Sequence, residues 1–248
     1  MFPLNDNNPT HGQPWVVYVI IGLNLIVWFA VQGMGTEPAL GRSMCLHALI
    51  PGDLLELVRS GTQIPVSAEL SCVLDGERDT KTLVSSMFMH GGWLHLIGNL
   101  WFLYVFGDNI EDALGPLRFA GFYLLCGIAA SAAQIATNPG STVPMVGASG
   151  AIGGVMGAYA LLYPRARINT VIFLGFFVTT IAVPAVVMLG YWFALQLLGG
   201  LPALGRSGGG VAFWAHIGGF LAGLALVLPL RRSPTAAARH PNQGKRWF

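Results

Sequence analysis

Ser149 and His216 are the residues whose types and surroundings suit covalent chemistry. Ser149 lies in Pro144-Met-Val-Gly147-Ala-Ser149-Gly150-Ala-Ile-Gly153-Gly154-Val-Met-Gly157, which runs directly into the apolar Ala158–Tyr163. The serine therefore stands where a helix begins in apolar surroundings. Gly150 and Gly154, like Gly153 and Gly157, are four residues apart, a spacing that clears one helix face for a neighbouring backbone. His216 lies in Ala215-His216-Ile-Gly218-Gly219-Phe-Leu-Ala-Gly223, one turn before a second such pair, Gly219 and Gly223. Two helices thinned in this way can bring an imidazole to a hydroxyl, giving a nucleophile and its general base inside a membrane. A helix N-terminus adds unpaired N–H groups and partial positive charge, suited to the oxyanion formed when Ser149 attacks a carbonyl. Gly150, beside the nucleophile, leaves room for a substrate backbone. The plainer alternatives are a small residue at a tight crossing for Ser149 and a packing histidine for His216. Against the second, an ionisable residue within a span is costly and is functional by default.

His95 and Asn99 are four apart and share one helix face, with His90 just before it. Interhelical hydrogen bonding is one reading and a metal site is the other. The chain lacks His-Glu-x-x-His and any carboxylate spaced to complete a zinc site, so no metal or other cofactor is expected. No carboxylate lies near His216 in sequence to orient it.

The elements that must position these groups are membrane helices. Of 248 residues, 54% are hydrophobic and 10% charged, against roughly 25% charged in soluble domains. This composition points to an all-α polytopic membrane protein embedded in a lipid bilayer. The net charge of +2 says nothing about nucleic acid, and without a basic stripe no nucleic-acid partner is expected. The first apolar segment follows no Lys or Arg and precedes no small-residue cleavage site, so it is not read as a signal peptide. Six spans are predicted. They are Trp15–Gln32, Trp93–Phe106 closed by Gly107–Asp112, Pro116–Ile135, Ser149–Tyr163, a fifth near Ala185–Leu198, and Val211–Leu230. The fifth follows an interfacial piece that starts at Ile168 and is divided off at Pro184. The fourth, at roughly 22 Å, is too short for the whole hydrocarbon core. It must begin part-way in, and the non-helical chain leading to it needs a protein or water-filled surround. A wet cavity is therefore expected at Ser149.

Residues 1–14 are expected to be a loose N-terminal tail, 15–230 the membrane domain and 231–248 a basic tail. Within the long loop 33–92, Leu49–Val58 is predicted as a short surface helix and Leu83–Met89 as the lead into the second span. Gly199–Gly210 is predicted to be a flexible loop. Arg165, Arg167, Arg231, Arg232, Arg239, Lys245 and Arg246 place both termini in the cytoplasm by the positive-inside rule. The loop 33–92 then faces outside and Ser149 opens toward it. Cys45 and Cys72 share that oxidising side and are the disulfide candidates; Cys126 reads as packing.

Gly147-Ala-Ser149-Gly150, Ala215-His216-xx-Gly219-xxx-Gly223 and His90-xxxx-His95-xxx-Asn99, in this order on separate apolar segments, resemble the rhomboid family of intramembrane serine proteases. The resemblance covers roughly Leu83–Leu230. It implies a bacterial-type six-helix bundle in the cytoplasmic membrane that cleaves transmembrane protein substrates with a Ser149–His216 dyad. It also implies that His95 and Asn99 donate to the substrate oxyanion, that His90 is a structural hydrogen-bonder, and that Glu111 ties the end of the second span to its neighbours. Asp108 and Asp112 are read as solvated. Two departures are visible. Lys81-Thr82-Leu83 stands where many members carry Trp-Arg in the first external loop. Gly153 stands where some carry an aromatic packed on the catalytic histidine, a place that Trp214 or a residue of the fifth span would have to fill. The rivals are a catalytically silent rhomboid-like protein that binds membrane clients, and a transporter or channel. Intact Ser149, His216 and Asn99 weigh against the first. The lack of an inverted repeat or an intramembrane acid weighs against the second.

Overall fold

The computed structural model describes residues 1–67, 70–76, 78–174, 177–204 and 210–232. The chain opens with strand β1 (Phe2–Asp6) and helix α1 (Trp15–Ala30). The long loop carries short helices α2 (Ala39–His47) and α3 (Pro51–Leu54), strands β2 (Gln63–Pro65) and β3 (Ser71–Val73), and a turn of helix, α4 (Thr82–Ser85). Then come α5 (Trp93–Leu114), α6 (Pro116–Thr137), α7 (Ser149–Leu162), the hairpin β4 (Arg167–Leu174) and β5 (Phe177–Pro184), α8 (Ala185–Ala203) and α9 (Phe213–Leu230). Helices α6, α8 and α9 are long and apolar enough to cross a membrane, and α1 and α7 are shorter apolar helices. The chain is a polytopic helical membrane protein. The predicted fifth span begins at Ala185, directly after Pro184.

Helix α7 is the centre of the bundle. Every residue from Gly150 to Tyr159 is buried, and α5, α6, α8 and α9 all pack on it. Small residues at its contacts allow this, as lipid-embedded helices associate through close packing rather than through water exclusion. Helix α5 stops where Gly115 takes φ +82°, and Pro116 opens α6, the usual glycine-stop and proline-start.

Several expectations are corrected. The polar run Gly107–Asp112 does not close the second span, because α5 continues through it to Leu114. Its side chains have partners: Asn109 donates to the Asn8 carbonyl at 3.2 Å, and Asp112 accepts from the His11 N–H at 3.2 Å. Asp108 and Asp112 are accordingly half-buried rather than solvated. Residues 1–14 are not a loose tail. β1 pairs antiparallel with β4, the Trp101 indole donates to the Pro3 carbonyl at 2.7 Å, and the Tyr159 hydroxyl donates to Asp6. Burial raises the Asp6 carboxyl above its ordinary range. The piece ahead of Pro184, for which the sequence sets no conformation, is a β-hairpin, in full register from Arg167 opposite Pro184 to Leu174 opposite Phe177. Its Val, Ile and Thr content favours strands. In place of a surface helix over Leu49–Val58 there is only α3, with Leu49, Ile50, Pro51 and Leu54 buried.

Within the predicted flexible segment Gly199–Gly210, α8 runs on to Ala203, and residues 205–209 lie outside the described residues. So do Arg239, Lys245 and Arg246 of the basic tail.

Glu111 is 3% exposed and accepts from the N–H groups of Val16 (3.0 Å) and Val17 (2.9 Å). It caps the first turn of α1, where a carboxylate meets both orphan donors and the positive end of the helix dipole. Removing it leaves those donors unpaired, so Glu111→Ala should cost about 1–3 kcal/mol. Thermal unfolding in detergent should register this as a lowered midpoint, with Asp112→Ala, at a less buried site, costing less.

Candidate active site

The fold brings Ser149 and His216 together. Ser149 is the first residue of α7 and His216 lies in the first turn of α9. Their Oγ and Nε2 atoms are 2.8 Å apart, hydrogen-bonding distance for a hydroxyl and an imidazole nitrogen. What permits this is direct backbone contact. A β-carbon on Gly219 would overlap the Gly150 carbonyl oxygen, and one on Gly223 would overlap that of Gly154. On the other side of the contact, one on Gly157 would overlap the Phe220 carbonyl.

Both residues line a cavity of about 520 Å³. The same cavity is bordered by His95 and Asn99 of α5, Gln134 of α6 and Trp192 of α8. Its hydrogen-bond donors converge. The Nδ2 of Asn99 is buried with no partner among the described residues. His95 Nδ1 accepts from the Gly91 N–H at 3.3 Å, so the neutral ring carries its proton on Nε2. That Nε2 faces Gly147, where a β-carbon would lie 2.7 Å from it, and Gly147 holds φ +124°, a conformation that favours glycine. Among the described residues no side chain caps helix α7, so N–H groups of its first turn, Gly150 among them, remain for another acceptor.

The approach to Ser149 is held by the long loop. Leu49 and Met145 exchange backbone hydrogen bonds of 3.0 and 2.8 Å, Gly52 N–H donates to the Ser141 carbonyl at 2.8 Å, and Gly147 N–H to the Ser86 carbonyl at 2.9 Å. Cys45 and Cys72 form a disulfide within that loop. Cys126 is a buried free thiol. His90 is fully buried, but neither ring nitrogen has a hydrogen-bond partner among the described residues. Its backbone is what is tied, donating to Gln32 Oε1 at 2.8 Å and accepting from Gln32 Nε2 at 2.7 Å. The His90 ring packs edge-on against His95, with centroids 5.1 Å apart. Among the described residues no cluster of His, Cys, Asp and Glu could hold a metal.

Two residues of the site are absent from the sequence reading by number. Trp192 of α8 lies against the His216 ring, centroids 5.7 Å apart, so the aromatic on this histidine comes from the fifth span. Trp214 instead donates to the Gly200 carbonyl at 3.0 Å. Gln196, also on α8, has Oε1 at 2.8 Å from His216 Nδ1. The available signal was composition: Gln196 is the one amide in an otherwise apolar helix, and α8 has no charged residue.

A helical membrane bundle with a serine and a histidine hydrogen-bonded to each other in the lining of a cavity belongs to a narrow class. A family model described as the rhomboid domain matches residues 77–233, more than half of the chain. The chain belongs to the rhomboid family. It is 27% identical over 234 residues to RHOMBOID-like protein 5 of Arabidopsis thaliana, covering 90% of this chain and 70% of that protein. It is 32% identical over 219 residues to Rhomboid protease GluP of Bacillus subtilis, covering 88% of this chain and 36% of that protein. With Rhomboid protein 1, mitochondrial, of Saccharomyces cerevisiae, identity is 26% over 215 residues, covering 84% of this chain and 51% of that protein. The chain thus spans only part of the length of these relatives.

The glycine contact yields a direct test. Gly219→Val should separate α9 from α7 and take His216 away from Ser149, so labelling by a serine-reactive fluorophosphonate should fall below detection while the protein still inserts. Normal labelling of Gly219→Val would mean that the backbones need not touch.

Proposed function

We propose that this protein is an intramembrane serine endopeptidase that cleaves transmembrane protein substrates. The observation that carries the reading is the Ser149–His216 hydrogen bond of 2.8 Å at a cavity where unpaired donors converge. His216 Nε2 takes the Ser149 proton as Oγ attacks the scissile carbonyl. The tetrahedral oxyanion that forms accepts from Asn99 Nδ2, His95 Nε2 and the first-turn N–H groups of α7. His216 then gives its proton to the leaving amine, leaving an acyl-enzyme on Ser149 that water hydrolyses with His216 again as base. A helical substrate hides its carbonyls in its own hydrogen bonds, so the segment cut must unwind into the cavity. Small or helix-breaking residues there favour this. By the distribution of Arg, both termini lie in the cytoplasm and the cavity opens to the outer side; the family resemblance favours a bacterial cytoplasmic membrane. A catalytically silent, client-binding role is the alternative.

Purified protein in liposomes, assayed on a panel of single-span substrates, tests the reading. Ser149→Ala and His216→Ala should each reduce turnover by roughly 10⁴-fold, and the double variant should add little, as groups acting as one unit do. Asn99→Ala should lower kcat by about 10–10³-fold with a smaller change in KM. Cleavage that survives in Ser149→Ala would refute the proposal; an Asn99→Ala defect confined to KM would remove Asn99 from the oxyanion site.

A further inference from the structure

We propose that Gln196 is a positioning residue that fixes the tautomer of His216, making α8 the carrier of the third link in a hydrogen-bonded chain ending at Ser149. This rests on the reading of Ser149 and His216 as nucleophile and base.

The direction of each bond in the chain follows from the one before. Gln196 Nε2 donates to the Trp192 carbonyl at 3.2 Å. Turning the amide over would set two carbonyl oxygens against each other, so Oε1 is the atom that faces His216 Nδ1, at 2.8 Å. An amide oxygen only accepts, so Nδ1 must carry the hydrogen. The neutral ring then has its lone pair on Nε2, the nitrogen 2.8 Å from Ser149 Oγ. The other tautomer would point an N–H at the serine, with nothing to receive its proton, and a lone pair at Oε1. Gln196 is 8% exposed, so water does not readily replace it. When His216 takes up the serine proton, the Nδ1–H bond to Oε1 strengthens and the charge is shared with the amide dipole. A carboxylate in this place would bury a charge whenever the base is neutral, whereas the amide buries none.

Trp192 lies one turn earlier on the same helix and covers the same ring. Both groups that hold His216 thus come from α8, and an α8 displaced from α9 would release the base from its working tautomer. Gln196 does not touch the reacting atoms; it acts through His216.

The test combines kinetics with a readout independent of turnover. Protein labelled with ¹⁵N-histidine in lipid nanodiscs reports, by NMR, which nitrogen of His216 is protonated. Wild type should show Nδ1–H and an unprotonated Nε2 at neutral pH. Gln196→Leu should show a mixture of tautomers and a kcat lowered about 10–100-fold, with KM within about twofold. Gln196→Glu, which when protonated buries no charge and still presents an acceptor oxygen to Nδ1, should keep the Nδ1–H form and a kcat within about threefold of wild type. An Nε2–H tautomer in wild type, or Gln196→Leu with unchanged tautomer and kcat, overturns the proposal. A wild type that cuts no substrate yet shows Nδ1–H, lost in Gln196→Leu, would sink the protease reading and leave the positioning role standing. Should Gln196→Leu fail to fold, the wild-type tautomer and the Gln196→Glu kinetics still decide.

Discussion

The structure depends on one constraint, the contact between the backbones of α7 and α9. Gly150 against Gly219 and Gly154 against Gly223 leave no room for a β-carbon at the α9 positions. In lipid there is no water-exclusion force between apolar helices, so close packing of this kind supplies both the association and its register. The register matters because Ser149 and His216 each sit within one turn of these glycines. A shift of one residue along either helix would move Oγ and Nε2 beyond hydrogen-bonding reach.

Around that contact, and apart from His95 and Asn99 of α5, the remaining elements bear on position rather than on chemistry. The long loop 33–92, closed over Cys45–Cys72 by a disulfide, holds the non-helical approach to Ser149 through main-chain hydrogen bonds at Leu49, Gly52 and, beyond the bridge, Ser86. This gives irregular backbone the protein surround it needs at membrane depth. It also offers an account of how the loop is anchored with Lys81-Thr82-Leu83 in place of a Trp-Arg pair. At the other end of α5, Glu111 caps α1, and the sheet of β1, β4 and β5 joins the N-terminal segment to the connection between α7 and α8.

The parts legible in the sequence were those with strong periodic or positional signals. Glycine spacing pointed to the helix contact, the shortness of the Ser149–Tyr163 segment pointed to a cavity, and Pro184 marked the start of α8. What escaped was tertiary. The run Gly107–Asp112 looks like a helix stop because its side chains are polar, but their partners, Asn8, His11 and the α1 N-terminus, lie about a hundred residues away. The N-terminal segment looks loose because β1 finds its partner strand only when the hairpin at Arg167–Pro184 forms. No carboxylate close in sequence stands ready to orient His216. The group found at Nδ1 is an amide from a different helix, visible in the sequence only as a lone polar residue in an apolar run.

The central claim is that Ser149 is a nucleophile activated by His216. Mass-spectrometric mapping of the fluorophosphonate adduct on protein in native-like lipid tests it most directly. One adduct is expected, on Ser149, and it should be lost in a folded His216→Asn variant. An adduct on another residue, or Ser149 labelled equally well without His216, would contradict it.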